Sequence, residues 1–451
     1  MTEPSEFHIR KPPAELSQSQ EAIELETLED YPYKSVALGS TRANLTGLWR
    51  YWRPYYQTKR APCDASCPVG NQVVDFIQTM LDGRWSEAAN ILRQENPLPG
   101  ITGRICHRPC EISCNRRQYD ERIAIHDIEA VLADVPHEPF KFPGAERVRD
   151  VAVVGSGPAE LAFAHFMALL QHRVILFESA DALGGSMRYG RQSRHLPEGL
   201  LDREVELIVA ERIEVQFRAV NHSDLASDYD VVFGTVDDEQ HLALYATGRE
   251  GAETSADPGS ARQGRSRQDT VVEVPLRVSE AIGYGKWAAL LLDADWRGLD
   301  PSDTLSRIQV GNNNRVVSAF KYLALLTEHG IERSEEVVTY DKLHLEMLDP
   351  TEPIDQAKVE QAQSFVAPGF ASVEDVQHVL DEAARCFSCG RCNNCDNCWV
   401  YCPDAVISRE GGGYEIDYSY CKGCRLCAAV CPRGVISIIE EEKWNRANAS
   451  S

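Results

Sequence analysis

The sequence contains no run of eighteen apolar residues. A helix needs about twenty to cross a bilayer, so membrane insertion is not expected. Its start, MTEPSEFHIRKPPAELSQSQ, lacks the basic-then-apolar pattern of an export signal, and a cytoplasmic protein is expected. Positive charge is also scarce: 46 Lys and Arg stand against 69 Asp and Glu, a net charge of −23. Such a chain repels nucleic acid and anionic lipid. The acidic surface is a solvated face, with docking of a basic partner as the alternative. Cysteine is missing from long stretches, with none before Cys63 and none between Cys114 and Cys386. The fifteen present fall into three groups, at 63–114, 386–402 and 421–431. A reducing compartment disfavours disulfides, and structural thiols would scatter. Clustering of this kind marks metal sites.

The last two groups contain a repeat. Cys392-x2-Cys395-x2-Cys398-x3-Cys402-Pro403 recurs as Cys421-x2-Cys424-x2-Cys427-x3-Cys431-Pro432. This is the spacing of a bacterial ferredoxin with two 4Fe-4S clusters, in which the last cysteine of each run ligates the other cluster. Cys392, Cys395, Cys398 and Cys431 are therefore assigned to one cube, and Cys421, Cys424, Cys427 and Cys402 to the second. The third cysteine at x2 and the Cys-Pro endings oppose a pair of zinc knuckles. Short strands are expected after each run, in AVISREGGGYEIDYSY and GVISIIEEEKW. Cys386 and Cys389 are extra. A ligand pair for another site is one reading, but the eight-cysteine set is complete without them, and we read them as non-ligand thiols.

In the first group, Cys63 and Cys67 are separated from Cys106, Cys110 and Cys114 by apolar residues at helical spacing: Val73, Val74, Phe76, Ile77, Met80 and Leu81, then Ala88, Ala89, Ile91 and Leu92. Two helices follow, with Asn71 and Ser86 as expected caps. The aromatic, basic stretch NLTGLWRYWRPYY (44–56) is expected to pack on this cluster domain. In the middle, RDVAVVGSGPAELAFAHFMALLQHRVILFESADALGGSMRYG reads as strand, glycine turn, helix and second strand, the Rossmann layout. Gly155, Gly157, Pro158 and Ala159 form the turn and helix start. Glu178 sits where a carboxylate bonds a ribose hydroxyl, and the Gly184-Gly185 pair follows. The third fingerprint glycine is replaced by Glu160, whose side chain should crowd helix–strand packing and whose charge opposes a diphosphate. The stretch GREGAETSADPGSARQGRSRQD is polar and turn-rich and reads as a disordered loop.

The segments CPVG, ENPLP, GRIC, CEISC and IAIHDIEAVLAD resemble the N-terminal iron–sulfur domain of the glutamate synthase small-subunit family. RYGRQSRHLPEGLLDREVELI and SEAIGYGKWAALLLDADWRG resemble its flavin domain. The family uses an additional Cys-x2-Cys just before the equivalent of Cys63, which this chain lacks. The resemblance implies one N-terminal 4Fe-4S cluster on Cys67, Cys106 and Cys110, with a fourth ligand from Cys63, Cys114 or Glu129; Glu129 falls where the family can offer a non-cysteine ligand. The family's second nucleotide domain for NAD(P)H is absent, so FAD occupancy is left open between bound flavin and an empty remnant.

The expected architecture is an α/β multidomain chain. A flexible acidic tail (1–40) precedes a helical N-terminal iron–sulfur domain (41–140), a truncated Rossmann-type FAD domain (148–300), a helical connector (301–384) and an α+β two-cluster ferredoxin (385–440). With its fused ferredoxin, the chain resembles glutamate-synthase-like subunits that accompany 2-oxoacid:acceptor oxidoreductases and dissimilatory sulfite reductase. The resemblance implies an electron-transfer subunit, with no catalytic residue of its own, serving the catalytic subunits of a 2-oxoacid:acceptor oxidoreductase or a similar redox complex. A sulfite-reductase-linked donor, an NAD(P)H-dependent flavoenzyme and a non-catalytic scaffold are the alternatives.

Overall fold

The computed structural model describes residues 45–448 apart from 139–140, 145–146, 211, 237–240, 247–269, 274–276, 312–314, 330–332 and 353–372. The acidic tail expected over 1–40 and the polar loop expected at 248–269 lie outside the described residues.

A single 3-10 turn, Thr46–Trp49, precedes two short strands, β1 (Trp52–Tyr56) and β2 (Thr58–Arg60). Helices Val73–Leu81 and Trp85–Glu95 follow. They bury Val74, Phe76, Ile77, Met80, Ala88, Ala89 and Leu92, as the periodicity requires. Neither helix is capped as expected. Asp64 Oδ1 accepts from the Val73 and Val74 amides at 2.8 and 3.3 Å, so a residue distant in sequence replaces Asn71. Ser86 lies inside its helix, after Trp85. Three short helices, Pro62–Ser66, Pro99–Ile105 and Pro109–Ile112, begin at proline, whose fixed φ and missing N–H suit a first turn. The first two end at Cys67 and Cys106, and the third carries Cys110.

The central sheet contains β3 (Asp150–Val154), β4 (Arg173–Glu178), β5 (Ile213–Phe217), β6 (Val231–Val236), β7 (His241–Ala246) and β8 (Thr270–Glu273). Their order is β5-β4-β3-β6-β7-β8. The first four are parallel, and β7 and β8 are antiparallel additions. Val151, Ala152 and Val153 are buried on both faces, as a parallel sheet covered by helices demands.

Helix Val278–Trp296 joins this sheet to the cysteine-bearing helical domain. A Cβ on Gly285 would come 2.2 Å from the Ala159 carbonyl oxygen, and one on Gly283 would come 2.2 Å from that of Pro68. Only glycine permits both approaches. One residue beyond, Lys286 meets Glu95 at 2.6 Å with both side chains fully buried. A second clamp is Glu204, which pairs with Arg93 at 2.8 Å and accepts from the Gly100 amide at 3.0 Å.

The last strands are β9 (Arg333–Val337), the hairpin β10 (Ile407–Glu410) and β11 (Gly413–Ile416), and β12 (Ile436–Glu440). The two stretches expected to form strands after the cysteine runs do so. β9 lies parallel to β2, and β12 pairs antiparallel with β1, Tyr56 opposite Ile436. The aromatic segment expected on the N-terminal cluster domain therefore packs on the C-terminal one. The backbone groups of β12 need partners, and β1 supplies them. Arg50 adds a forked pair to Glu441 at 2.6 and 2.7 Å, and Arg53 stacks 3.6 Å over the Tyr418 ring. Among the described residues, no helix is long and apolar enough to cross a membrane.

Candidate metal centres

In the C-terminal domain, short helices Asn397–Val400 and Leu426–Ala429 carry Cys398 and Cys427. Each follows a loop with residues in the left-handed region, Asn394 and Asp396 in one and Gly423 and Arg425 in the other. The two runs cross. Cys431 neighbours Cys392 and Cys398, while Cys402 neighbours Cys421. Cys402, Cys421, Cys424 and Cys427 line one common cavity. Among the described residues, no three His, Cys, Asp or Glu side chains converge as ligands of a single ion would. Thiols spread around a hollow suit a cube better than one zinc. Tyr56 donates its hydroxyl to Cys398 Sγ at 3.2 Å. Burial pushes the Cys427 thiol up to about 12; a bound cation reverses that preference and deprotonates its ligand. Cys392, Cys395 and Cys424 are exposed, beside exposed Trp399, Val400 and Tyr401.

At the other end, Cys67, Cys106, Cys110 and Glu129 form one group. Cys110 has Cys67, Cys106 and Glu129 around it, and Cys67 has Glu129 and Cys106. Of the three candidate fourth members, Glu129 is the one in this group. Cys63 and Cys114 gather elsewhere, with Cys386 and Cys389. Glu129 accepts from Asn96 Nδ2 at 2.8 Å and from the Thr102 hydroxyl. Burial pushes its carboxyl up to about 7. Asn96 is itself fixed by accepting from the Leu98 amide at 3.0 Å. The ENPLP segment thus does two jobs that sequence reasoning did not assign: Glu95 clamps Lys286, and Asn96 orients Glu129.

The seven residues marked in the dinucleotide turn converge. Gly155 takes φ +96°. Gly157 precedes helix Pro158–Leu169, and Ala159 is buried beneath helix Val278–Trp296. Glu178, at the end of β4, accepts from the Ser156 hydroxyl and from the Ala180 amide at 2.9 Å. Ser156 in turn accepts from the Gly184 amide at 2.9 Å, and Gly185 packs on Gly157. Glu160 behaves differently from expectation. It folds back over the turn instead of wedging the helix from the sheet. Its carboxylate is buried and so close that a Cβ on Gly157 would lie 2.6 Å from Oε2. A helix N-terminus attracts phosphate, but here a carboxylate of the chain itself sits there. The fold admits a dinucleotide; the turn as it stands does not fit a diphosphate.

Three family profiles match the chain: "Dihydropyrimidine dehydrogenase domain II, 4Fe-4S cluster" over residues 55–139, "NAD(P)-binding Rossmann-like domain" over 153–212, and "4Fe-4S dicluster domain" over 391–435. The NADP(+)-dependent formate dehydrogenase subunit beta of Moorella thermoacetica is 30% identical over 230 residues, 44% of this chain and 31% of that one. The NADPH glutamate synthase small chain of Bacillus subtilis (strain 168) is 33% identical over 168 residues, 36% of this chain and 34% of that one. The chain thus spans about a third of the length of these two curated relatives. Among solved structures, histamine dehydrogenase from Rhizobium sp. 4-9 overlaps 37% of this chain and 24% of its own at 17% identity, with a TM-score of 0.21 that carries no argument. The matched segments give the chain 4Fe-4S domains at both ends and a Rossmann-type nucleotide domain between them, and they make it similar to glutamate synthase small chains and to the formate dehydrogenase subunit beta.

Proposed function

We propose that the chain is the electron-transfer subunit of a multi-subunit oxidoreductase whose catalytic subunits form a thiamine-diphosphate 2-oxoacid:acceptor oxidoreductase. The observation that supports an electron-transfer subunit is the packing of both cysteine domains into one body through β1 and β12, with exposed ferredoxin thiols beside an apolar patch; the 2-oxoacid partner rests on the resemblance of the fused ferredoxin. Exposed apolar surface next to an electron carrier suits a protein partner. In this reading Cys392, Cys395, Cys398 and Cys431 hold one 4Fe-4S cluster, and Cys421, Cys424, Cys427 and Cys402 hold another. Cys67, Cys106 and Cys110 with Glu129 hold the N-terminal one. When bound, the clusters supply one-electron chemistry, and the substrate chemistry belongs to the partner. The chain's own residues orient the ligands and set their polarity.

Anaerobic co-purification with native partners tests the proposal. Addition of a 2-oxoacid with coenzyme A is expected to bleach the visible absorbance of the complex, and NAD(P)H alone is not. Equal bleaching by NAD(P)H alone would favour a self-sufficient flavoenzyme and overturn the 2-oxoacid reading. A second expected result concerns Tyr56. Hydrogen bonds to ligating sulfur favour the reduced, more negative cluster. Tyr56→Phe should therefore lower one C-terminal potential by about 40 mV, taking about 1 kcal/mol for the bond. EPR-monitored redox titration reads this directly. An unchanged potential would separate the hydroxyl from cluster tuning.

A further inference from the structure

Four thiols stand outside the groups just assigned. Cys63 and Cys114 come from the N-terminal domain, and Cys386 and Cys389 come from the segment before the first ferredoxin run. All four meet. Cys63 and Cys389 are buried in the same apolar core, with Cys114 and Cys386 packed against it. Cys63 has Cys114, Cys386 and Cys389 as its thiol neighbours.

The 386–389 loop is held to the N-terminal domain on several sides. Asn115, adjacent to Cys114, donates from Nδ2 to Cys389 Sγ at 3.4 Å and to the Val338 carbonyl at 2.9 Å. Arg116 donates to the Arg385 carbonyl and lies 4.7 Å from the Phe387 ring. Arg385 donates to the Glu121 carbonyl at 2.9 Å. The Lys59 amide donates to the Gly390 carbonyl at 2.9 Å.

The local backbone matches that of the other cysteine loops. Ser388 takes φ +51°, and its amide donates to Cys386 Sγ at 3.4 Å. Arg108 does the same for Cys106, at φ +59° and 3.4 Å. Asn394 and Gly423, also at positive φ, direct their amides at Cys392 and Cys421. A non-glycine residue in this region is uncommon and strained. Its use at Arg108, Ser388 and Asn394 places an N–H donor on a sulfur, which favours the thiolate a metal needs.

We propose that Cys63, Cys114, Cys386 and Cys389 hold a further 4Fe-4S cluster, assembled from two ends of the chain that the whole nucleotide-type domain separates. This departs from the reading of Cys386 and Cys389 as non-ligand thiols. Their Cys-x2-Cys stands in space where the N-terminal domain lacks one. A tetrathiolate site also suits zinc, but position favours a redox cluster. Cys63 and Cys67 flank the short helix Pro62–Ser66. Cys110 and Cys114 lie within one turn and its exit. Cys389 is three residues before Cys392. The site therefore stands between the N-terminal group and the ferredoxin and completes a relay of one-electron carriers, whatever the partner.

The test is metal analysis of the full-length protein purified without oxygen and without partner, so its outcome is independent of the 2-oxoacid reading. About sixteen irons and matching sulfide per chain are expected, four per cube. Cys386→Ser/Cys389→Ser should drop the count to about twelve and remove one EPR signal from the reduced protein, with the two ferredoxin signals retained. About twelve irons in the unaltered protein, with or without one bound zinc, would overturn the proposal, and so would a variant that keeps the full iron count. The count on unaltered protein decides the matter even where the variant fails to fold.

Discussion

Lys286→Met is expected to destabilise the junction between the N-terminal cysteine domain and the nucleotide-type sheet by about 3–5 kcal/mol, the usual cost of removing one member of a buried ion pair. Lys286 and Glu95 are both fully buried and 2.6 Å apart. Glu95→Leu should cost at least as much. The Glu95 carboxylate has neutral donors besides the lysine: Ser318 Oγ at 2.5 Å and the amides of Ala319 and Phe320 at 2.9 and 3.2 Å. Without that carboxylate, Lys286 keeps the Glu95 backbone carbonyl at 3.2 Å and the face of the Phe166 ring at 5.9 Å, neither of which carries a negative charge. Removing the acid therefore strands a charge and also takes the acceptor from the Ala319 and Phe320 amides at the start of helix Ala319–Leu326. The double variant Lys286→Met/Glu95→Leu should recover part of the loss, because no unpaired charge remains. Urea unfolding of the anaerobic protein, followed by cluster absorbance and by far-UV circular dichroism, measures all three. Single-variant shifts below about 1 kcal/mol would show that the pair is not what holds the domains together.

What the sequence revealed and what it hid divide along one physical line. Spacing within a short loop is local, so the two ferredoxin runs, and the placing of each run's last cysteine beside the other run, were legible without coordinates. The Rossmann strand–turn–helix was legible for the same reason: glycine needs, apolar runs and the terminal Glu178 all lie within one βαβ unit. Partners distant in the chain were not. Nothing in WRPYY names Ile436–Glu440 as the strand it pairs with, and the cap of helix Val73–Leu81 comes from Asp64 through a turn that no propensity encodes. One non-local feature did leave a trace. Each end of the chain carries two thiols beyond the sets assigned to it, Cys63 and Cys114 at one and Cys386 and Cys389 at the other. Taken end by end these look like leftovers; taken together they number four, the ligand count of a cube.

The glycine turn shows how much one side chain's direction decides. Glu160 could be recognised from sequence as an intruder in the fingerprint, but not where its carboxylate would go. Pointed towards the sheet, it would disturb helix packing. Folded over Gly155 and Gly157, as it is, it leaves packing intact and puts a negative charge at the N-terminus of helix Pro158–Leu169, where a pyrophosphate would bind. Like charges in such a site cost several kcal/mol. Glu160→Gly is therefore expected to raise FAD affinity by at least about tenfold, which needs only about 1.4 kcal/mol of relief. The rest of the cradle is in place: Gly155 is already left-handed, and Glu178 is already oriented by Ser156 and Ala180. Glu160→Gln is the sharper comparison, since it keeps the volume and removes only the charge. If charge is the obstacle, Gln should recover most of the gain; if bulk over the turn is the obstacle, only Gly should. Isothermal titration with FAD, and flavin fluorescence released from each purified variant, give the ranking. Equal, weak binding by all three proteins would move the obstacle away from Glu160, to the close packing of Gly185 on Gly157.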